Sequence, residues 1–153
     1  MKYSSVALSR ASAMLRRVGL IWFITAAVGQ LAFIAFIVAF YGLRTAGGNF
    51  ESWNEKPLIT GHVPGDGAGN LMFAIHVLLA AVITLGGLAQ LIPQIRDRYR
   101  PFHRWNGRVF IALALIMALG GLWLTWVRGS YLSYVSALSV SLNGVLIIAF
   151  AML

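Results

Sequence analysis

The chain has 153 residues, of which 59% are hydrophobic and only 10% charged, with 12 basic residues, 4 acidic residues and no cysteine. Soluble domains carry roughly 25% charged residues, so this composition excludes a soluble enzyme, a disordered tail and a nucleic-acid-binding module. The lack of thiols excludes a disulfide framework, a thiolate metal site and a cysteine nucleophile. What is left is an integral membrane protein.

Residues 1–18 form a basic segment. Leu8, Ala11 and Leu15 share one helical side with Arg10 and Arg17 opposite, a pattern suited to lying on lipid headgroups; a frayed, solvated terminus is the alternative. Residues 19–43 form the first apolar run, interrupted only by Thr25 and Gln30. A bilayer core about 30 Å thick needs about 20 such residues, so this longer run implies tilt. It is too long for a signal peptide, and no small-x-small pattern occurs at Tyr41-Gly42-Leu43-Arg44, so a retained helix is expected.

Residues 44–70 carry Gly47, Gly48, Pro57, Pro64, Gly65, Gly67 and Gly69, and read as an irregular extracytoplasmic loop. Within it, Gly65-Asp66-Gly67-Ala68-Gly69 reads as a flexible connector. Asn70 is the expected cap of the second span, 71–93, whose one ionisable residue is His76 and which Pro93 ends. A basic cytoplasmic loop follows at 94–106, then a third span at 107–127. A short outer turn at 128–131 permits only an antiparallel hairpin into the fourth span, 132–153. In lipid each backbone polar group must be satisfied internally, so these spans are helices. The expected fold is all-α, a polytopic membrane protein with four transmembrane helices in a compact bundle.

Charge sets the orientation. Lys2, Arg10, Arg16 and Arg17 share a side with Arg96, Arg98, Arg100, Arg104 and Arg108, whereas the other side has Arg44, Lys56 and Arg128. Nine basic residues against three place both termini in the cytoplasm of a bacterial inner membrane. Trp22, Tyr99, Phe102 and Trp105 are expected at the inner interface, and Tyr41, Trp123, Trp126, Tyr131 and Tyr134 at the outer one. Anionic headgroups are the natural partners of the basic residues, each worth about 1 kcal/mol near such a surface; nucleic acid is not expected.

Helices in lipid associate through small residues and polar contacts. Gly107, Ile111, Ala114, Ala118, Gly121 and Thr125 form a stripe on the third helix; His76, Ala80, Ile83, Gly87 and Gln90 cluster on the second. The first offers Ala26, Gln30, Phe33 and Ile37, the fourth Ser133, Ala137, Val140 and Gly144. The polar residues Gln30, His76, Gln90 and Asn143 are expected to point at one another.

An ionisable residue inside a span is a site candidate by default. Imidazole is the usual protein ligand of haem iron, which makes His76, on a small polar face, a candidate axial ligand of haem b. The alternative is a neutral histidine bonded to a neighbouring helix. A second imidazole is lacking at that depth: His103 lies in the cytoplasmic loop and His62 in the outer one. A homodimer or chain beyond Leu153 would have to supply it. Arg96, Arg98, Arg100, His103, Arg104, Trp105 and Arg108 are suited to a lipid phosphate, a quinone headgroup or a propionate, or simply to anchoring at the headgroups. No catalytic set and no metal constellation is recognisable.

Ile75-His76, Gly86-Gly87, Gln90, Pro93, Arg96 and Arg98, closing with His103-Arg104-Trp105-Asn106-Gly107-Arg108, resemble the uncharacterised prokaryotic membrane-protein family called domain of unknown function 2306, over about residues 72–127. The family has no established activity. Its members usually continue through further helices and another histidine-containing basic segment, and the resemblance therefore implies a truncated or incompletely represented protein at Leu153. The functional expectation is a non-catalytic bundle or accessory subunit associating with lipid or with other membrane subunits. The alternative is a haem b electron carrier or quinone-linked oxidoreductase using His76.

Overall fold

The computed structural model describes residues 2–55, 60–130 and 133–153, with side chains from residue 10 onward. Lys56, Pro57, Tyr131 and Leu132, together with the side chains of Lys2 and Leu8, lie outside the described residues. Helix α1 runs Lys2–Phe36 and passes through a π-helical turn, Ile37–Gly42, into the short α2, Leu43–Ala46. A 3-10 turn at Glu51–Glu55 precedes α3, Gly67–Leu91. The short α4, Pro93–Arg98, leads into α5, Arg100–Trp126, and α6 covers Tyr134–Ala151. Four of these helical segments are long and apolar enough to cross a membrane, and they pack compactly.

Local chemistry explains the boundaries. Asp66 caps α3, its Oδ1 accepting from Gly69 N at 2.8 Å, after Gly65 turns the chain at φ 83°. The glycine-rich segment is therefore the start of a helix rather than a connector, and Asn70 sits inside the first turn rather than capping it. Ile92 is extended (φ −80°, ψ 114°) because Pro93 disfavours helical geometry in the residue before it, and Pro93 then opens α4. Much of the stretch 94–106 is consequently helical, broken only at Tyr99. Ser133 caps α6 in a reciprocal pair with Ser136.

The helices pack in chain order, α1 on α3, α3 on α5 and α5 on α6. Each pairing is antiparallel. Tyr41 meets Phe73 while Gly19 and Phe23 border a cavity with Leu91 and Gln94; Gly121 meets His76 while Gly107 meets Gln90; Gly144 meets Leu122. The core sits toward the end carrying the 44–70 connection, where Ile37, Phe40, Tyr41, Trp53, Phe73, Ala81 and Leu124 are buried together. Tyr41 is only 4% exposed and belongs to this aromatic core. Its ring meets those of Phe40 and Phe73 at 4.8 and 5.8 Å. By contrast, no residue from 10 to 36 of α1 is buried.

Candidate functional site

Three polar centres hold the helices together, one at each end and one between. At the arginine-rich end, Gln90 Nε2 donates to the carbonyl of His103 at 2.9 Å, and Asn106 Nδ2 donates to that of Gly86 at 2.8 Å. The glycines allow this approach. A Cβ on Gly87 would lie 3.0 Å from the Phe110 ring, and one on Gly86 would lie 3.3 Å from Asn106 Oδ1. Gly86, Gly87, Gln90, His103, Asn106 and Gly107 thus act as one device that seats α5 on α3.

Between the ends, the His76 ring lies over the backbone of Gly120 and Gly121. A Cβ at Gly121 would stand 3.2 Å from His76 Cε1, and one at Gly120 would stand 3.4 Å from Nδ1. The two glycines form a seat for the imidazole. The other histidines are elsewhere: His62 stacks on Phe50 and edges Trp53 in the loop, and His103 sits beside Gln90 at the far end. Among the described residues no group of three His, Asp or Glu side chains comes together.

At the loop end, Arg128 organises the connection. Its guanidinium, with the side chain only 4% exposed, donates to Asp66 Oδ2 at 2.9 Å and Asn70 Oδ1 at 2.6 Å. It also donates to the carbonyls of Gly61 and Thr60 at 3.0 and 3.3 Å, and stands 5.7 Å above the Phe73 ring. Asn70 in turn holds both the N–H and the carbonyl of Val63. The Gly69 N–H, and then Arg128 beside it, hold the Asp66 carboxyl below its ordinary value. Sequence reasoning counted Arg128 only as a charge on one side and Asp66 only as part of a connector. The two stand 62 residues apart, and no signal in the sequence pairs them.

The small stripe of α5 is partly as expected. Ala118 and Thr125 are buried, Gly107 and Gly121 take Gln90 and His76, and Ala114 is half-buried, as is Ala80 on α3. Ile111 and Val140 are 47% and 48% exposed and lie outside the contacts. The four polar residues do not converge. Asn143 is exposed on α6, because α6 packs on α5 and its other faces are turned from α1 and α3. Gln30 and Gln90 border one cavity, but Gln90 is engaged by His103 and Gln30 Oε1 is buried without a partner.

The basic residues cluster on α4 and the start of α5. Arg96 pairs with Asp97 at 3.2 Å, and Arg108 stands 5.5 Å over Trp105, itself 64% exposed. Arg98, Arg100 and Arg104 are exposed, with no acidic partner among the described residues. His103 turns inward and is half-buried, with Nδ1 closed off and unpaired.

A set of membrane-length helices, joined by side-chain-to-backbone bonds and ending in a band of five arginines that holds a single acid, defines a polytopic membrane protein. The chain matches the family described as Predicted membrane protein (DUF2306) over residues 73–153, more than half its length, and belongs to it. The match extends beyond the motif segment and takes in all of α5 and α6. No curated protein and no solved structure matches the chain.

Proposed function

We propose that the protein is a non-catalytic helical module of the bacterial inner membrane, with both termini in the cytoplasm. It holds anionic lipid headgroups at its arginine end and presents its outer faces to lipid, to neighbouring membrane subunits or to a second copy. The observation that carries this reading is the electrostatic imbalance of α4 and the start of α5. Five arginines fall within 96–108, and the one acid in that stretch, Asp97, is taken by Arg96. The polar groups between α3 and α5 support it as well, because Gln90 and Asn106 are engaged in helix packing.

Retention of lipid through purification tests the proposal. Native mass spectrometry from nanodiscs of mixed phosphatidylcholine and phosphatidylglycerol is expected to show phosphatidylglycerol enriched on the protein. Replacing Arg98, Arg100 and Arg104 together by Gln should remove that enrichment; an unchanged lipid profile refutes the role. Orientation is checked separately with an impermeant thiol reagent on intact cells. A cysteine at Glu51 should label and one at Arg100 should not, both positions being exposed.

A further inference from the structure

Helix α6 turns Ala137 and Gly144 inward, and Gly144 meets Leu122 of α5. On another side of it Ser136, Ser139, Asn143, Leu146 and Phe150 recur at alternating intervals of three and four residues. At about 100° per residue that spacing keeps them within about 80° of one another. Ser136 is half-buried and the other four are exposed. The serines need nothing from outside: Ser136 Oγ donates to the carbonyl of Ser133 at 2.7 Å, and Ser139 Oγ to that of Val135 at 2.9 Å. Their size leaves room for a helix to approach.

Asn143 is different, because its carboxamide has no hydrogen-bond partner among the described residues. Depth makes this costly. Asn143 is the tenth of the 18 residues of α6, about 14 Å from Tyr134 at about 1.5 Å per residue. That is the middle of a hydrocarbon core about 30 Å thick, where a side chain this short reaches neither water nor headgroups. A carboxamide facing acyl chains there calls for a partner that both donates and accepts, at the same depth. A second copy meets both conditions without adjustment. Copies of one chain insert the same way round under one basic bias, so α6 laid on α6 is parallel and sets Asn143 level with Asn143. Each carboxamide offers N–H donors and a carbonyl acceptor, so two related by a two-fold axis bond reciprocally.

We infer that the protein forms a parallel homodimer through α6, with Ser136 and Ser139 at the close approach and the two Asn143 side chains hydrogen-bonded to each other in mid-bilayer. The inference rests on the proposed role of the outer faces and narrows it to one face and one partner. Retention of phosphatidylglycerol at the arginine end is read separately and does not involve Asn143.

The chain has no cysteine, so single cysteines report the contact in native membranes. Ser139→Cys should give a disulfide-linked dimer with copper phenanthroline, whereas Val145→Cys, exposed on the opposite side of α6, should not. In liposomes, energy transfer between chains labelled at Glu51→Cys should fall with lipid dilution as the dimer dissociates. Asn143→Leu should weaken the dimer about tenfold, the scale of two hydrogen bonds between membrane helices, and Asn143→Gln should restore most of it. Neither should lower the thermal midpoint of the monomer in detergent. No dimer from Ser139→Cys, an equal yield from Val145→Cys, undiminished association of Asn143→Leu, or cross-linking of Ser139→Cys to a different polypeptide alone would each overturn the inference.

Discussion

Removing the two bonds that seat α5 on α3 should loosen the protein by a modest, calculable amount. Asn106 and Gln90 each donate across the interface to a carbonyl at 2.8 and 2.9 Å. Both acceptors lie inside helices and keep their own helical amide partners, so truncation leaves no orphaned carbonyl. The cost is then the interhelical bond alone, about 0.6 kcal/mol on average between membrane helices and at most about 1.7. Asn106→Ala with Gln90→Ala should therefore lower stability by about 1–2 kcal/mol, roughly tenfold in the unfolding equilibrium. The two bonds have separate acceptors, and their effects should add to within about 0.5 kcal/mol. Asn106→Asp is the discriminating variant, since it keeps the shape but sets an anion against the Gly86 carbonyl, and it should cost more than Asn106→Ala. Reversible unfolding from mixed micelles with sodium dodecyl sulfate, followed by tryptophan fluorescence, measures all of these. Unchanged midpoints for the alanine variants, or an aspartate no worse than alanine, refute the assignment of these residues as interhelical donors.

Gly121→Leu should destabilise by about 1–3 kcal/mol through overpacking, because even its Cβ would stand 3.2 Å from the His76 ring; His76→Ala in the same chain should recover part of that loss in the same unfolding assay. The Asp66–Arg128 contact should respond to acid. The depressed carboxyl contributes stability that is complete above the ordinary carboxylate value near pH 4 and is lost as pH falls through its lower folded value; thermal midpoints in detergent should drop there for the wild type but stay flat for Asp66→Asn. Arg128→Lys should lower the midpoint and speed proteolysis of the 44–66 connection, since one ammonium cannot reproduce a planar fork that reaches four acceptors.

The transmembrane helices were legible because apolar run length is a one-dimensional property, and Pro93 marks a break that any chain must obey. The helix start at Gly67 was not, because Asp66 looks like loop until its carboxylate is seen accepting from Gly69. Side-chain destinations were harder. A helical wheel places Gln30, His76, Gln90 and Asn143 on faces, but it does not say which helix lies opposite each face. Packing in chain order leaves Asn143 outside and sends Gln90 to a backbone carbonyl instead of a side chain. Arg128 was out of reach for a different reason. Its partners lie 58 to 68 residues away, and within one sequence nothing separates a charge that orients a helix from one that folds a loop.

The uneven placement of the core has a mechanical consequence for α1. Its far portion is enclosed, with Ile37, Phe40 and Tyr41 packed with Phe73 at the π-helical turn, while residues 10 to 36 lie along α3 without any of them being buried. Such a helix is enclosed at one end and only flanked by α3 along the rest. The register of α1 against α3 is therefore set at its aromatic end, while the portion bearing Gln30 and Phe33 turns most of its surface to the acyl chains.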